Sequence, residues 1–559
     1  MRNVRFTAAI PVLVGALLAA GQPVTAETAE APARHEAIPE RYLNQRIDWK
    51  PCYPDGPPAK LPPGAGKLRC GSFVAPRDWD RPAGGPDVTL AVSRLPSTGK
   101  AKASVLTNPG GPGAPGRTTP LMLKDRAKLR ASQEIVGIDP RGTGDSSNIT
   151  CDGKAELDED LDPRDRSREN LDLVLNSNEL ISQFCQTKSG DMGNHVNTEQ
   201  TVRDYDLLRA LLGRKKVNWV GYSAGTWLGA HYATAFPEHV GKFVLDSNVE
   251  FTTDFQESFD WQPLGFERRF RQDFLTWMGD YDSVYHLGTD REAVRRNYER
   301  IRASLADKPL DLGEDQQLTA AGLDTAISSG LYSKEDFPKL GELFGKLASL
   351  TGVRPAPANR DTAVRAISGY QQRMERRGPR MRPPRRYQDA SDASFIAVTC
   401  NDTRWTDSRY SLVPKSQRMG EKYPLLGWSW VAQPCVSWDR PNVDLPTPDG
   451  AGVPPVLMVQ SVRDPATPIE GARRAHERFA GSRMITVTGE GDHGIYGSGN
   501  RCVNGKVEKY LVDGVMPAGD SRCPGMPLPD PHADRASGPA PAGLGAAAEY
   551  RAASGSLPR

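Results

Sequence analysis

Histidine is scarce in this chain, with eight in 559 residues, and aromatic residues make up only 7%. Net charge is nearly absent as well: 71 basic side chains stand against 69 acidic ones, leaving +2. So even a balance gives no extended positive field, which excludes nucleic acid as the expected partner. Past the first 20 residues no run approaches the roughly 20 apolar residues needed to cross a bilayer, so no stable membrane anchor is expected. None of the cysteines has zinc-site spacing, so the sequence predicts no metal, and no cofactor is expected.

The chain's cysteines form an even set of eight. They fall in local pairs, Cys52 with Cys70, Cys151 with Cys185, Cys400 with Cys435 and Cys502 with Cys523. In an exported chain an even set reads as disulfides, and sequential pairing is expected. Export is suggested by the N-terminus. Arg2 and Arg5 precede an apolar run from Phe6 to Ala20, and Val24-Thr25-Ala26 offers small residues for cleavage after Ala26. Residues 1–26 are therefore read as a signal peptide, and the mature protein as a secreted monomer.

The central stretch runs from Val217 to Ala230. A β-prone segment, Val217 to Val220, meets Gly221-Tyr222-Ser223-Ala224-Gly225 and then an Ala/Leu-rich helical run. A serine at the apex of a strand–turn–helix elbow is held clear of its backbone, with the helix N-terminus aimed at it. Ahead of this elbow, the strand Ala103 to Leu106 runs into Asn108-Pro109-Gly110-Gly111-Pro112-Gly113. A glycine loop there offers backbone N–H groups to a developing oxyanion, from Gly111 or Gly110, beside the N–H of Ala224. Further strands are expected at 88–95, 134–139, 243–245, 456–460 and 484–487, with helices at 198–212 and 472–479. Strands and helices alternate, the pattern of a mostly parallel, doubly wound α/β sheet. The Asp139/Arg141 pair is expected to brace loops.

Elimination leaves one base. Of the histidines, His493 alone follows a core strand, in the Gly-flanked loop Gly489-Glu490-Gly491-Asp492-His493-Gly494. Asp464 ends the strand one helix upstream and completes the order Ser, Asp, His of α/β-hydrolases. Asp246, after an earlier strand, is the competing acid, and Asp492 lies too close in sequence to orient the ring. The chemistry these residues imply is acyl transfer from a carbonyl compound to water, with peptidase and esterase both open at this point.

The motifs Asn-Pro-Gly-Gly-Pro-Gly at 108–113, Asp-Pro-Arg-Gly-Thr-Gly at 139–144, Gly-Tyr-Ser-Ala-Gly-Thr at 221–226 and Asp-Pro-Ala-Thr-Pro at 464–468 together resemble the secreted bacterial tripeptidyl aminopeptidases, relatives of the prolyl aminopeptidases. The resemblance spans residues 48 to 523. It implies an α/β-hydrolase fold with an inserted helical cap, Ser223 as nucleophile, Asp464 as acid and His493 as base. It also implies peptide or protein N-termini as substrate. Ala224, Ala114-Pro115 and Asp492 depart from the usual residues at their positions.

The expected layout is a hydrolase core over 27–246, a helical cap over 247–392, a returning core over 393–523 carrying Asp464 and His493, and a disordered tail from 524 to 559. The basic stretch Arg373 to Arg386 reads as an exposed cap loop. An aminopeptidase must also pair the substrate's ammonium, since an unpaired buried charge is costly. The cap's opening segment offers Glu250, Asp254 and Glu257, with Asp260 and Glu267 beyond.

Overall fold

The computed structural model describes residues 38–532 apart from 59–60, 159, 314–315, 356–358 and 376–386. The signal peptide, most of the basic stretch at 373–386 and the tail beyond 532 therefore lie outside the described residues. One sheet of ten strands carries the fold, in the order β1-β2-β3-β5-β4-β6-β7-β10-β11-β12. These are β1 (Lys50–Pro51), β2 (Arg69–Pro76), β3 (Asp87–Leu95), β4 (Ala103–Asn108), β5 (Gln133–Ile138), β6 (Val217–Tyr222) and β7 (Val240–Asp246), then β10 (Leu457–Ser461), β11 (Arg483–Thr488) and β12 (Ser521–Pro524). A separate two-stranded ribbon, β8 (Leu310–Gly313) and β9 (Gln316–Leu318), belongs to the stretch between. β1, β2 and β3 pair antiparallel, β3 meets β5 antiparallel, and every pairing from β5 through β12 is parallel.

The parallel strands are apolar on both faces because helices cover both. β5, β6 and β10 are buried at every residue. Val105, Ile135, Val220, Val244, Leu457, Val459, Ile485 and Val487 belong to one core cluster, which also takes in Val503, Val507 and Leu511 of the helix Arg501–Asp513. The expected strands are all present. β1, β2 and β12 are not among those read from the sequence, and neither is the helix Arg168–Asn194.

Between Asp246 and Leu457 none of the described residues adds a strand to the large sheet. It is built mainly of helices, opening with Phe255–Asp260 and Gln262–Arg269 and closing with Ala390–Asp402 and Arg409–Lys422. Aromatic contacts weld it to the core: Phe255 stacks on Trp227 of the elbow helix with ring centroids 4.0 Å apart. Phe259 in turn meets Phe255 at 5.4 Å and Phe395 at 6.0 Å.

All four cysteine pairs are disulfides in the expected sequential pattern, and no cysteine is free. Asp139 and Arg141 brace loops as expected. Asp139 takes Arg117 Nε at 2.8 Å, and Arg141 forks onto Asp204 with two bonds of 2.7 Å. The tail from 524 needs correction over its described part. Pro524 closes β12, Met526 N–H donates to Glu490 Oε2 at 3.0 Å, and Pro529 O accepts from Trp277 Nε1 at 2.8 Å. A proline-rich segment makes few ladder bonds of its own, but its carbonyls accept from its neighbours, and composition alone does not reveal that. Among the described residues no helix is long and apolar enough to cross a membrane.

Candidate active site

β6 ends at Tyr222, and Ser223 turns the chain into the helix Ala224–Ala235 with φ 56° and ψ −127°. A non-glycine residue with positive φ is strained and is retained only where its surroundings fix it. Ser223 is fixed by its N–H donating to Asp246 O at 3.0 Å and its carbonyl accepting from Thr226 N at 2.8 Å and Thr226 Oγ1 at 2.6 Å. The two flanking glycines are required by close approach: a Cβ on Gly221 would lie 2.2 Å from Gly225 O, and one on Gly225 only 2.6 Å from Asn108 O. The elbow and the loop after β4 therefore touch through backbone.

That loop holds Gly110, Gly111 and Gly113 at φ +103°, +107° and +82°. Gly110 N–H is already given to Asn108 Oδ1 at 2.8 Å, which corrects its place among the oxyanion donors. Gly111 N–H and Ala224 N–H, by contrast, have no acceptor recorded among the described residues. Ala224 opens its helix, where an N–H lacks an intrahelical partner.

Asp464 lies just past β10, fully buried, and His493 follows β11 with 4% of its surface exposed. His493 Nδ1 stands 2.9 Å from Asp464 Oδ1 and 3.0 Å from Oδ2. Asp464 Oδ1 also accepts from Ala466 N at 3.0 Å and Thr467 N at 2.9 Å, so its lone pairs are aimed before the ring arrives. This geometry makes Nδ1 the protonated nitrogen and leaves Nε2 as the basic one.

Asp246, the rival acid, does different work. Its Oδ2 accepts from Ile495 N at 3.0 Å and Tyr496 N at 2.6 Å, so it seats the backbone just beyond His493. Burial pushes its carboxyl up to about 6, against the pull of those two N–H groups. Around the same loop, Ser247 Oγ accepts from Gly494 N at 2.8 Å, Ser461 Oγ donates to Asp492 O at 2.8 Å, and Tyr332 O accepts from His493 N at 2.9 Å. The Tyr332 ring stands edge-on to the imidazole, centroids 5.3 Å apart. Sequence reasoning missed Ser247, Ser461 and Tyr332, because none lies in a motif.

The three acidic cap residues expected to hold an ammonium already have partners. Asp254 caps its helix, accepting from Glu257 N at 2.7 Å. Glu257 is exposed and takes Arg474 Nη1 at 2.7 Å as well as the Thr253 hydroxyl. Glu250 is buried, its carboxyl raised by burial; it accepts from Trp261 Nε1 at 2.8 Å and faces Arg474 and Arg478, each at 3.5 Å. Glu250 and Asp254 precede the helix Phe255–Asp260 and Glu257 lies in its first turn, and each carboxylate is already engaged inside the protein, so nothing in this geometry singles one out for the amine.

The chain is similar to known hydrolases and peptidases. The model described as "alpha/beta hydrolase fold" matches residues 104–298, and that described as "TAP-like protein" matches 423–523. The tripeptidyl aminopeptidase of Streptomyces lividans is 33% identical, covering 87% of this chain and 88% of its own length. Serine protease Hip1 of Mycobacterium tuberculosis is 28% identical, over 92% of this chain and 97% of its own. A protein named carboxylesterase B from Mycobacterium tuberculosis is 30% identical, over 81% and 86%. With its elbow serine, its strand-end histidine and aspartate, and this extent of likeness, the chain belongs to the tripeptidyl aminopeptidase family of α/β-hydrolase serine peptidases.

Proposed function

We propose that the protein is an exported serine aminopeptidase that releases short peptides, tripeptides foremost, from free N-termini. The observation that carries the reading is the Asp464–His493 pair at 2.9 Å on adjacent strand ends, in the same fold as a strained elbow serine. In this reading Ser223 Oγ attacks the scissile carbonyl as His493 Nε2 takes its proton. Asp464 holds the tautomer and stabilises the imidazolium. The N–H groups of Ala224 and Gly111 receive the oxyanion, each worth roughly 3 kcal/mol of barrier. His493 then returns the proton to the leaving amine, and water clears the acyl-enzyme by the same route in reverse. Four disulfides support an oxidising compartment, in keeping with export.

The test compares a tripeptide anilide carrying a free N-terminus with its N-acetylated twin. A buried site built for an ammonium loses about a hundredfold or more in kcat/KM when that charge is removed. Equal cleavage of the two would reject the aminopeptidase reading. The relative named carboxylesterase B favours a second reading, an esterase. That reading gains if p-nitrophenyl esters are turned over while free tripeptide anilides are not.

A further inference from the structure

Six charged side chains, four buried and two partly exposed, join the cap to the residues that immediately precede the acid and the base. Arg269, at the end of the cap helix Gln262–Arg269, is the centre, with 1% of its side chain exposed. One side of its guanidinium pairs with Asp273, and its Nη2 donates to Asp492 Oδ1 at 2.5 Å. Asp273 in turn forms an ion pair with Arg463, Oδ1 to Nε 2.6 Å, without hydrogen-bond alignment of that N–H. Arg463 precedes Asp464, and Asp492 precedes His493. On the far side, Lys334 gives its backbone N–H to Asp492 Oδ1 at 2.8 Å and its Nζ to both oxygens of Glu490, at 2.7 and 2.6 Å. Arg463 N–H then donates to Glu490 O at 2.9 Å, closing the ring. Arg269, Lys334 and Arg463 balance Asp273, Glu490 and Asp492.

We propose that the Arg269–Asp273 pair of the cap is a positioning device for catalysis, fixing Asp464 relative to His493 through Arg463 and Asp492. This rests on the proposed roles of Asp464 and His493. Several observations make the device more than a staple for the cap. Both of its core contacts fall one residue from the reacting pair, on the ends of neighbouring parallel strands, β10 and β11. The cap face is seated against the acid loop too: a Cβ on Gly265 would lie 2.3 Å from Pro465 O, and Gln262 Nε2 donates to Ala466 O at 3.2 Å. The loop has no slack around the guanidinium, since a Cβ on Gly491 would lie 2.1 Å from Arg269 Nη1. A buried ion pair is weak evidence for stability, because desolvation offsets much of its attraction, and its best-attested use is to impose one arrangement. Asp492 adds a charged tie to the cap beside the backbone bond from His493 N–H to Tyr332 O.

The experiment uses the full chain with Asp273→Asn, Arg269→Met and Asp492→Asn, each measured for kcat and KM on a free tripeptide anilide and for the rate of fluorophosphonate labelling. A displaced acid–base pair lowers kcat and labelling together, by about 10- to 100-fold for Asp273→Asn, with KM within about threefold. Asp492→Asn keeps an acceptor for Lys334 N–H and should lose less, about 3- to 10-fold. Arg269→Met combined with Asp492→Asn should lose less than the product of the two single effects, because the two residues share one contact. Wild-type kcat and labelling in folded variants, or a rise in KM alone, would overturn the proposal. Should Arg269→Met fail to fold, Asp492→Asn and Arg463→Gln decide, since both residues are partly exposed. Failure of the underlying reading looks different: unsubstituted protein would then not be labelled at Ser223 at all.

Discussion

Ser223, His493 and Asp464 share their residue types with a second grouping, Ser482, His476 and Asp520. In the second, His476 Nδ1 stands 2.6 Å from Ser482 Oγ and Nε2 stands 2.9 Å from Asp520 Oδ2. On distances alone it would pass for a catalytic triad. The serines separate the two. Ser482 Oγ also has two backbone carbonyls within reach of its single O–H, Phe479 O at 2.9 Å and His476 O at 3.1 Å, so its hydroxyl closes a helix end. It lacks the positive φ of Ser223, and it follows the C-terminal end of the helix Ile469–Arg478 where Ser223 precedes a helix N-terminus. The acids differ as well: Asp464 is wholly buried and aimed by two N–H groups, while the Asp520 side chain is 58% exposed. A catalytic grouping is recognised by a constrained nucleophile with donors for the charge it creates; three residue types in a row do not make one.

The comparison breaks most sharply at the serines. Ser223→Ala should abolish hydrolysis of a tripeptide anilide, a loss on the order of 10⁶-fold, and end labelling by a fluorophosphonate. Ser482→Ala should keep wild-type kcat and lose only stability, about 1–2 kcal/mol for the missing helix-end bonds. Labelling that moves to Ser482, or survives at another serine, would reverse the assignment. The acids should divide the same way. Asp464→Asn permits the wrong ring tautomer and should lower kcat about 10⁴-fold. Asp520→Asn should leave kcat unchanged, and a fall matching that of Asp464→Asn would show that the second grouping takes part.

A smaller effect tests the elbow itself. The Cβ of Gly225→Ala would meet Asn108 O at 2.6 Å, pushing the glycine loop away from the helix that Ala224 opens. The expected cost is about 10²-fold in kcat, since an ångström at the oxyanion is felt at that scale. Unchanged turnover would mean the Gly111 N–H is not a donor to the reaction.

Much of this was legible in the sequence because the parallel strands are buried on both faces and read as unbroken apolar runs. Gly-x-Ser-x-Gly, the Asp464 loop and the His493 loop each sit at a strand end, where the fold places function. What stayed hidden depends on partners far apart in the chain. Arg269 and Asp492 are 223 residues apart, and nothing local to either announces the pair. Glu250 and Glu257 read as open to a ligand because sequence does not display Arg474 and Arg478, far downstream, as their partners. β2 and β12 escaped because neither is an unbroken buried run and each carries a disulfide cysteine, Cys70 or Cys523, which a bridge anchors whatever the local pattern.

The smallest effect sharpens the contrast through acidity. Asp520 is pushed up by its partial burial, yet the bonds from Met484 N at 2.9 Å and from His476 outweigh this and hold it below the usual carboxylate value of 3.8. A carboxyl depressed in the fold stabilises the protein above its unfolded pKa, and that contribution is lost as pH falls through the folded one. Asp520→Asn should therefore lower Tm slightly near pH 6, with the difference from wild type closing below about pH 4. The exposure of Asp520 keeps the shift small. Asp246, beneath the His493 loop, has the opposite sign: its folded pKa is raised to about 6 from 3.8, so its ionisation costs stability as pH climbs from about 4 to 6. Asp246→Asn should remove that downward slope while Asp520→Asn leaves it intact. Thermal melts of both variants between pH 3 and 7 check the pair, and parallel curves for the two would show that the carboxylates do not differ as their surroundings require.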